Sequence, residues 1–165
     1  MKARRKRTES SEMEELSLHD AVQLLLDECR MVLPGIQALF GFQLIAIINP
    51  GFERKFSPVE QRLHLAAILL VAVAIALIMT PAAYHRQTSP REARGDFVEL
   101  STRLLLASMF PLAAGICIDF YLVCRLVVPG PWFVMLPALL LIVFVVLWFW
   151  LPHAKRLRSL VERHD

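Results

Sequence analysis

A chain of 165 residues of which 56% are hydrophobic, with a mean hydropathy of +0.53, is more apolar than a soluble domain, where the share is about 45–50% even with glycine counted. The apolar residues fall in four blocks of about 17–25 residues, the length that crosses a hydrocarbon layer of roughly 30 Å as helix. This excludes a water-soluble globular enzyme. It points to an all-α integral membrane protein, a transmembrane four-helix bundle with an N-terminal amphipathic helix, and the net charge of +3 conceals an asymmetry that sets its orientation.

Residues 1–15 read as a disordered tail, basic and then acidic, in which Lys2, Arg4, Arg5, Lys6 and Arg7 precede Glu9, Glu12, Glu14 and Glu15. No apolar core of a signal peptide follows them, so the first span is expected to serve as its own insertion signal. A solvated tail and a contact with anionic headgroups are both open readings, the latter worth about 1 kcal/mol per basic residue near the surface. Nucleic acid is not an expected partner. In 16–30, Ser17 can cap a helix with Asp20 three residues on. Leu18, Ala21, Val22, Leu25 and Cys29 recur at helical spacing, with His19, Asp20, Gln23, Asp27 and Glu28 opposite them. The pattern predicts an amphipathic helix that packs on the protein's own loops or continues into the first span.

The first span is expected over 31–48, "MVLPGIQALFGFQLIAII", with Pro34-Gly35 kinking it or marking a joint and Gln37 and Gln43 embedded. Asn49-Pro50-Gly51 signals a turn. The second span, 58–84, opens with Ser57 as N-cap, Pro58 at the first helical position and Glu60 completing a capping box. His64 lies near its start, and "TPAAYHR", Thr80 to Arg86, closes it. The third span, 100–128, is interrupted by Pro111 and Asp119. After the turn Pro129–Trp132, the fourth, 132–151, carries no charged group. Its Trp132, Trp148 and Trp150 match the aromatic belts of the two interfaces. Residues 152–165 form a basic tail.

With four spans, fourteen of the eighteen basic residues share one side: those at positions 2, 4, 5, 6, 7 and 30, at 86, 91, 94 and 103, and at 155, 156, 158 and 163. Arg54, Lys55, Arg62 and Arg125 take the other. The positive-inside rule then places both termini in the cytoplasm and the protein in the plasma membrane.

Asp119 is the candidate that most needs an explanation, because a carboxylate inside a span costs roughly 2.5–3.5 kcal/mol at the bilayer centre on translocon scales. Gly115, Pro111 and Ala107 precede it on one face, a stripe of small residues that favours close helix packing. Gln43 and His64 lie at similar depth. The three can meet, near Arg125 or Tyr121, either as a proton or cation site or as a structural hydrogen bond that fixes helix register. Gln37, deeper in the first span, can bond Thr80 or Ser108 or the carbonyls freed by Pro81 and Pro111. Tyr84, His85 and Arg86 read mainly as an interfacial aromatic, a headgroup-level histidine and a snorkelling arginine. A lipid- or quinone-directed enzymatic role for them is the least favoured reading.

No H-E-x-x-H, cysteine/histidine cluster, glycine-rich phosphate loop or G-x-S-x-G elbow occurs, so neither a metal nor a cofactor is expected. Cys117 and Cys124 are seven residues apart, roughly 10 Å on one helix and too far to bridge. Cys29 is isolated, and no C-x-x-C pair supports a thiol oxidoreductase. The first span also lacks the acidic residue of small four-span drug exporters.

"ECRMVLPGIQALFGFQLIAI", "F-x-R-K-F" (Phe52 to Phe56), "QRLHLAAILL" and "MTPAAYHR" resemble a family of small bacterial membrane proteins of unknown function. Its pattern is E-[LC]-R, then G-[VI]-Q-x-L-F-x-F, then P-x-A-Y-H-R at the end of the second span. The resemblance runs from about Cys29 to Val128. It implies a four-span membrane protein, and some members of the family carry a sodium:proton antiporter label. It also raises the interest of Gln37 and His85. Leu33-Pro34 before the glycine departs from the pattern, so the entry to the first span can bend differently. The leading expectation is a structural or accessory membrane protein, with a possible homo-oligomer. The alternative is a proton or cation transporter that acts as an oligomer through Asp119 and His64.

Overall fold

A computed structural model describes the backbone of residues 2–87 and 94–151, and the side chains of most of 20–84 and 97–151. The elements are α1 (Lys2–Ile48), α2 (Phe52–Lys55), α3 (Pro58–Gln87), α4 (Arg94–Val127) and α5 (Trp132–Val145), the last followed by a π-helical turn over Val146–Trp150. Among the described residues there is no strand.

Helix α1 is 47 residues long, where the sequence predicts a tail over 1–15, an amphipathic helix over 16–30 that packs on loops or continues into the first span, and a kink or joint at Pro34. Lys, Arg, Glu and Met keep most of their rotamer freedom in a helix, and neither proline nor glycine occurs before Pro34. The stretch 16–30 is thus the middle of a longer helix. Its Val22 and Cys29 are buried, but Leu24 is 72% exposed among the polar residues, so the predicted two-faced helix is imperfect. Proline is tolerated within α1, and again at Pro81 in α3 and Pro111 in α4.

Three helical stretches are long and apolar enough to cross a membrane: Val22–Ile48 and Pro58–Tyr84, each of 27 residues, and Phe97–Val127, of 31 residues. Twenty-seven residues of helix span about 40 Å. The fourth predicted span corresponds to a shorter apolar helix, Trp132–Trp148. Large apolar side chains such as Ile45, Leu65, Leu69, Phe110 and Leu139 are exposed along these helices. Surfaces this apolar are untenable in water and ordinary against acyl chains.

The turns follow the local sequence. Asn49 accepts a hydrogen bond on its side-chain oxygen from the Gly51 amide, 3.0 Å, and on its carbonyl from the Phe52 amide, 2.9 Å. This turns the chain into α2. Gly130 has φ of 76°, a conformation that favours glycine, and it lets Pro129 and Pro131 flank a tight reversal before α5. At the start of α3 the Glu60 half of the predicted capping box is present: the Ser57 amide and hydroxyl both donate to Glu60 Oε2, at 2.8 and 2.7 Å.

The chain divides into two compact units. Unit 1 comprises residues 1–39 and 74–108. Its buried side chains are mainly apolar (Val22, Cys29, Ile36, Ala74, Ile78 and Phe97), with Ser101 and Ser108 added. Unit 2 comprises residues 40–73 and 109–165 and holds buried Gln43, Glu60 and His64. Helix α3 buries Glu60, His64, Ala67, Ile68, Val71, Ala74, Ile78 and Pro81. All but Ile68 follow an alternating four-and-three spacing, which keeps them on one helical face.

Candidate functional site

In unit 2 three elements each contribute one group to a polar cluster. Gln43 comes from the last two turns of α1, His64 from the second turn of α3, and Asp119 from two turns before the end of α4. Gln43 Nε2 donates to Asp119 Oδ2 at 2.5 Å. His64 Nδ1 lies 2.9 Å from Asp119 Oδ1, and His64 Nε2 lies 3.1 Å from the Gln43 carbonyl oxygen. Gln43 is 3% and His64 7% exposed, whereas the Asp119 side chain keeps 20%. The sequence left open whether these three residues meet, and here they do.

The helices come this close because of Gly115. A Cβ built on it would stand 2.9 Å from Val71 Cγ2 and 3.1 Å from the Ala67 carbonyl oxygen. Gly115 is one turn before Asp119, and Ala67 is three residues after His64. The absence of a side chain at 115 thus sets the α3–α4 separation at which imidazole and carboxylate meet.

The ring contacts bear on which atoms carry protons. A carbonyl oxygen only accepts, so His64 Nε2 carries a hydrogen. Nδ1 then faces a carboxylate oxygen, and two acceptors do not bond without a proton between them. A proton shared between imidazole and carboxylate satisfies both contacts and leaves the pair with zero net charge, the state that hydrocarbon tolerates best. The Gln43 amide completes the shell of Asp119 with Nε2, but its Oε1 is buried without a partner. An orphan acceptor of this kind costs about 1–3 kcal/mol.

Two further groups, Phe52 and Glu60, lie toward the Asn49–Ser57 turn. The Phe52 ring packs on the His64 imidazole, centroids 5.3 Å apart, and also on Phe56 at 5.0 Å. Glu60, one turn before His64 on the same seam, accepts from Arg125 on Oε1 while Ser57 occupies Oε2. The sequence offers Glu60 only as a capping residue. Its spacing of four from His64 is the signal that could have placed it at the site. Beside the cluster, Leu63, Ile118, Tyr121, Val134, Pro137 and Leu141 help to line an open apolar groove of about 310 Å³. Tyr121 packs on Phe133 there, centroids 6.0 Å apart.

The remaining candidates lie elsewhere. Gln37 is exposed. Its suggested partners bond within their own helices, Thr80 Oγ1 to the Ala76 carbonyl at 2.8 Å and Ser108 Oγ to that of Leu105 at 2.6 Å. Tyr84 stacks on Phe97 with centroids 5.8 Å apart. His85 and Arg86 continue α3, but their side chains lie outside the described residues, as do the basic tail over 152–165 and the loop over 88–93. Among the described residues no three His, Cys, Asp or Glu side chains gather as metal ligands would.

Residues 11–152 match a family of unknown function, DUF6328. The chain belongs to that family. No curated protein and no solved structure matches it. The DUF6328 match is wider than the stretch from Cys29 to Val128 that carries the quoted motifs. Within the matched stretch lie all three long apolar helices and every residue of the cluster, so the polar site sits inside the domain that defines DUF6328.

Proposed function

We propose that the chain is a multi-pass integral membrane protein that moves protons, alone or in exchange for a cation, across the plasma membrane. His64 and Asp119 hold the transferable proton, and Gln43 positions both. The observation that supports this reading is the placing of the His64 ring, Nδ1 against the Asp119 carboxylate and Nε2 against a carbonyl oxygen, an arrangement that a proton shared by the pair satisfies. Membrane-embedded pairs of this type recur in proton relays. Four spans are proposed, α5 being the last, with both ends of the chain on the cytoplasmic side; the basic-residue asymmetry supports this. The chain encloses little polar volume, so the acting form is an assembly of several copies. Basic residues near the N-terminus meet anionic headgroups.

A second reading is an accessory membrane protein whose cluster only ties α1, α3 and α4 together. It is favoured by the near-complete internal satisfaction of the cluster and by the apolar character of the neighbouring groove. Proteoliposomes with an internal pH-sensitive dye separate the two. Asp119→Asn offers His64 and Gln43 an amide of the same shape, so the fold is expected to survive. Transport predicts that dye response to an imposed gradient falls at least tenfold in this variant. An unchanged response, or none in the parent protein, leaves the accessory reading.

A further inference from the structure

We propose that Phe52 and the Glu60–Arg125 ion pair form a closure over His64, which excludes water from the imidazole until the Asn49–Ser57 segment swings away. Helix α2 is four residues long. Its Glu53, Arg54 and Lys55 are exposed and Phe52 is buried. A short strap of charged surface therefore turns its aromatic residue inward, onto the imidazole ring at 5.3 Å. The strap is secured at both ends by bonds that a small rearrangement can break. Asn49 holds Gly51 and Phe52 at one end, and Gln61 Nε2 donates to the Phe56 carbonyl at 3.0 Å at the other.

The ion pair completes the cover on the adjoining side. Glu60 is 8% exposed and Arg125 46%, so the guanidinium reaches solvent while the carboxylate lies one helical turn from His64. The pair joins the first turn of α3 to the last turn of α4. Such a latch needs a charged partner that water can solvate when it lets go, and the half-exposed Arg125 is suited to that. The Glu60 carboxylate, left with Ser57 as its cap, stays satisfied on Oε2, so opening uncovers His64 without unwinding α3.

The inference concerns access to His64 and stands whether or not the chain transports protons. It is tested on the full chain in liposomes with diethyl pyrocarbonate, which acylates accessible unprotonated imidazole. The rate at His64 is followed by peptide mass spectrometry, against the same peptide in unfolded protein. The parent protein is expected to label at least a hundredfold slower than the unfolded control. Phe52→Ala is expected to raise the rate at least tenfold, and Arg125→Gln severalfold. Phe42→Ala, which alters an exposed ring, is expected to leave it unchanged. If Phe52→Ala does not insert, Arg125→Gln and Arg125→Lys carry the test, the lysine keeping a cation for Glu60 and being expected to label more slowly than the glutamine. Fast labelling of the parent protein overturns the proposal, as does labelling that responds to neither position.

Discussion

The two stretches of α3 bury side chains at one spacing but with opposite chemistry. In unit 2 the seam runs Glu60, His64, Ala67, Val71; in unit 1 it runs Ala74, Ile78, Pro81. The stretches of α4 follow suit. In unit 2, Asp119 and Arg125 reach polar partners on other helices and Gly115 presses on α3. In unit 1, the hydroxyl of Ser108 bonds within its own helix and that of Ser101 is buried without a partner. In hydrocarbon there is little hydrophobic drive between helices, because lipid tails are as apolar as the side chains they would replace. The buried side chains described in unit 1 are mainly apolar, and van der Waals fit of that kind tolerates exchange among apolar residues of similar size. Unit 2 adds directional bonds and one backbone approach without slack.

The sharpest way to break that contrast is at Gly115. Gly115→Leu places a branched side chain where even a Cβ stands 2.9 Å from Val71; overpacking of this kind costs about 3 kcal/mol or more. We expect a large fall in the midpoint of thermal unfolding in detergent. Val71→Ala should relieve only part of the milder Gly115→Ala defect, since the Ala67 carbonyl remains in the way. Removal of the carboxylate comes next. Asp119→Ala leaves His64 Nδ1 and Gln43 Nε2 without their acceptor, a loss of about 1–3 kcal/mol. Asp119→Asn, which offers both an acceptor and a donor, should stay within about 1 kcal/mol of the parent in the same unfolding measurement. If the alanine and asparagine variants unfold alike, the cluster is not the directional tie that separates unit 2 from unit 1. The smallest effect belongs to unit 1. Ser101→Ala removes a buried hydroxyl that makes no bond, so stability should change by no more than about 0.5 kcal/mol and can rise. A marked loss there would show that unit 1 also depends on a polar contact.

Much of unit 2 was legible in the sequence because its logic is local or costly. Ser57, Pro58 and Glu60 announce a helix start through backbone hydrogen-bonding rules. Asp119 stands out because a carboxylate within an apolar run demands a partner, and Gln43 and His64 were the polar groups at matching depth. The groups that close the site were harder to see. Phe52 lies in a four-residue helix within a turn, where no periodicity shows which way a ring points, and the capping role of Glu60 masks its bond to Arg125 from a helix far away in sequence. The helical course of the stretch before residue 16 differs from the expected tail for another reason. Charge-rich composition reads as disorder when judged by hydropathy, yet the same residues have high helix propensity. Gln37 illustrates the opposite error. An amide in an apolar run invites a partner across the fold, but Thr80 and Ser108 had nearer carbonyls available.

One acceptor in the cluster belongs to the main chain. His64 Nε2 faces the carbonyl of residue 43 rather than its amide side chain, so every amino acid placed there keeps the group that dictates the imidazole tautomer. Selection can retune the carboxylate's environment by exchanging the glutamine while the ring's orientation is inherited from the helix backbone itself. The ring and the acid are thus separately adjustable, and drift at position 43 need not scramble the proton's address.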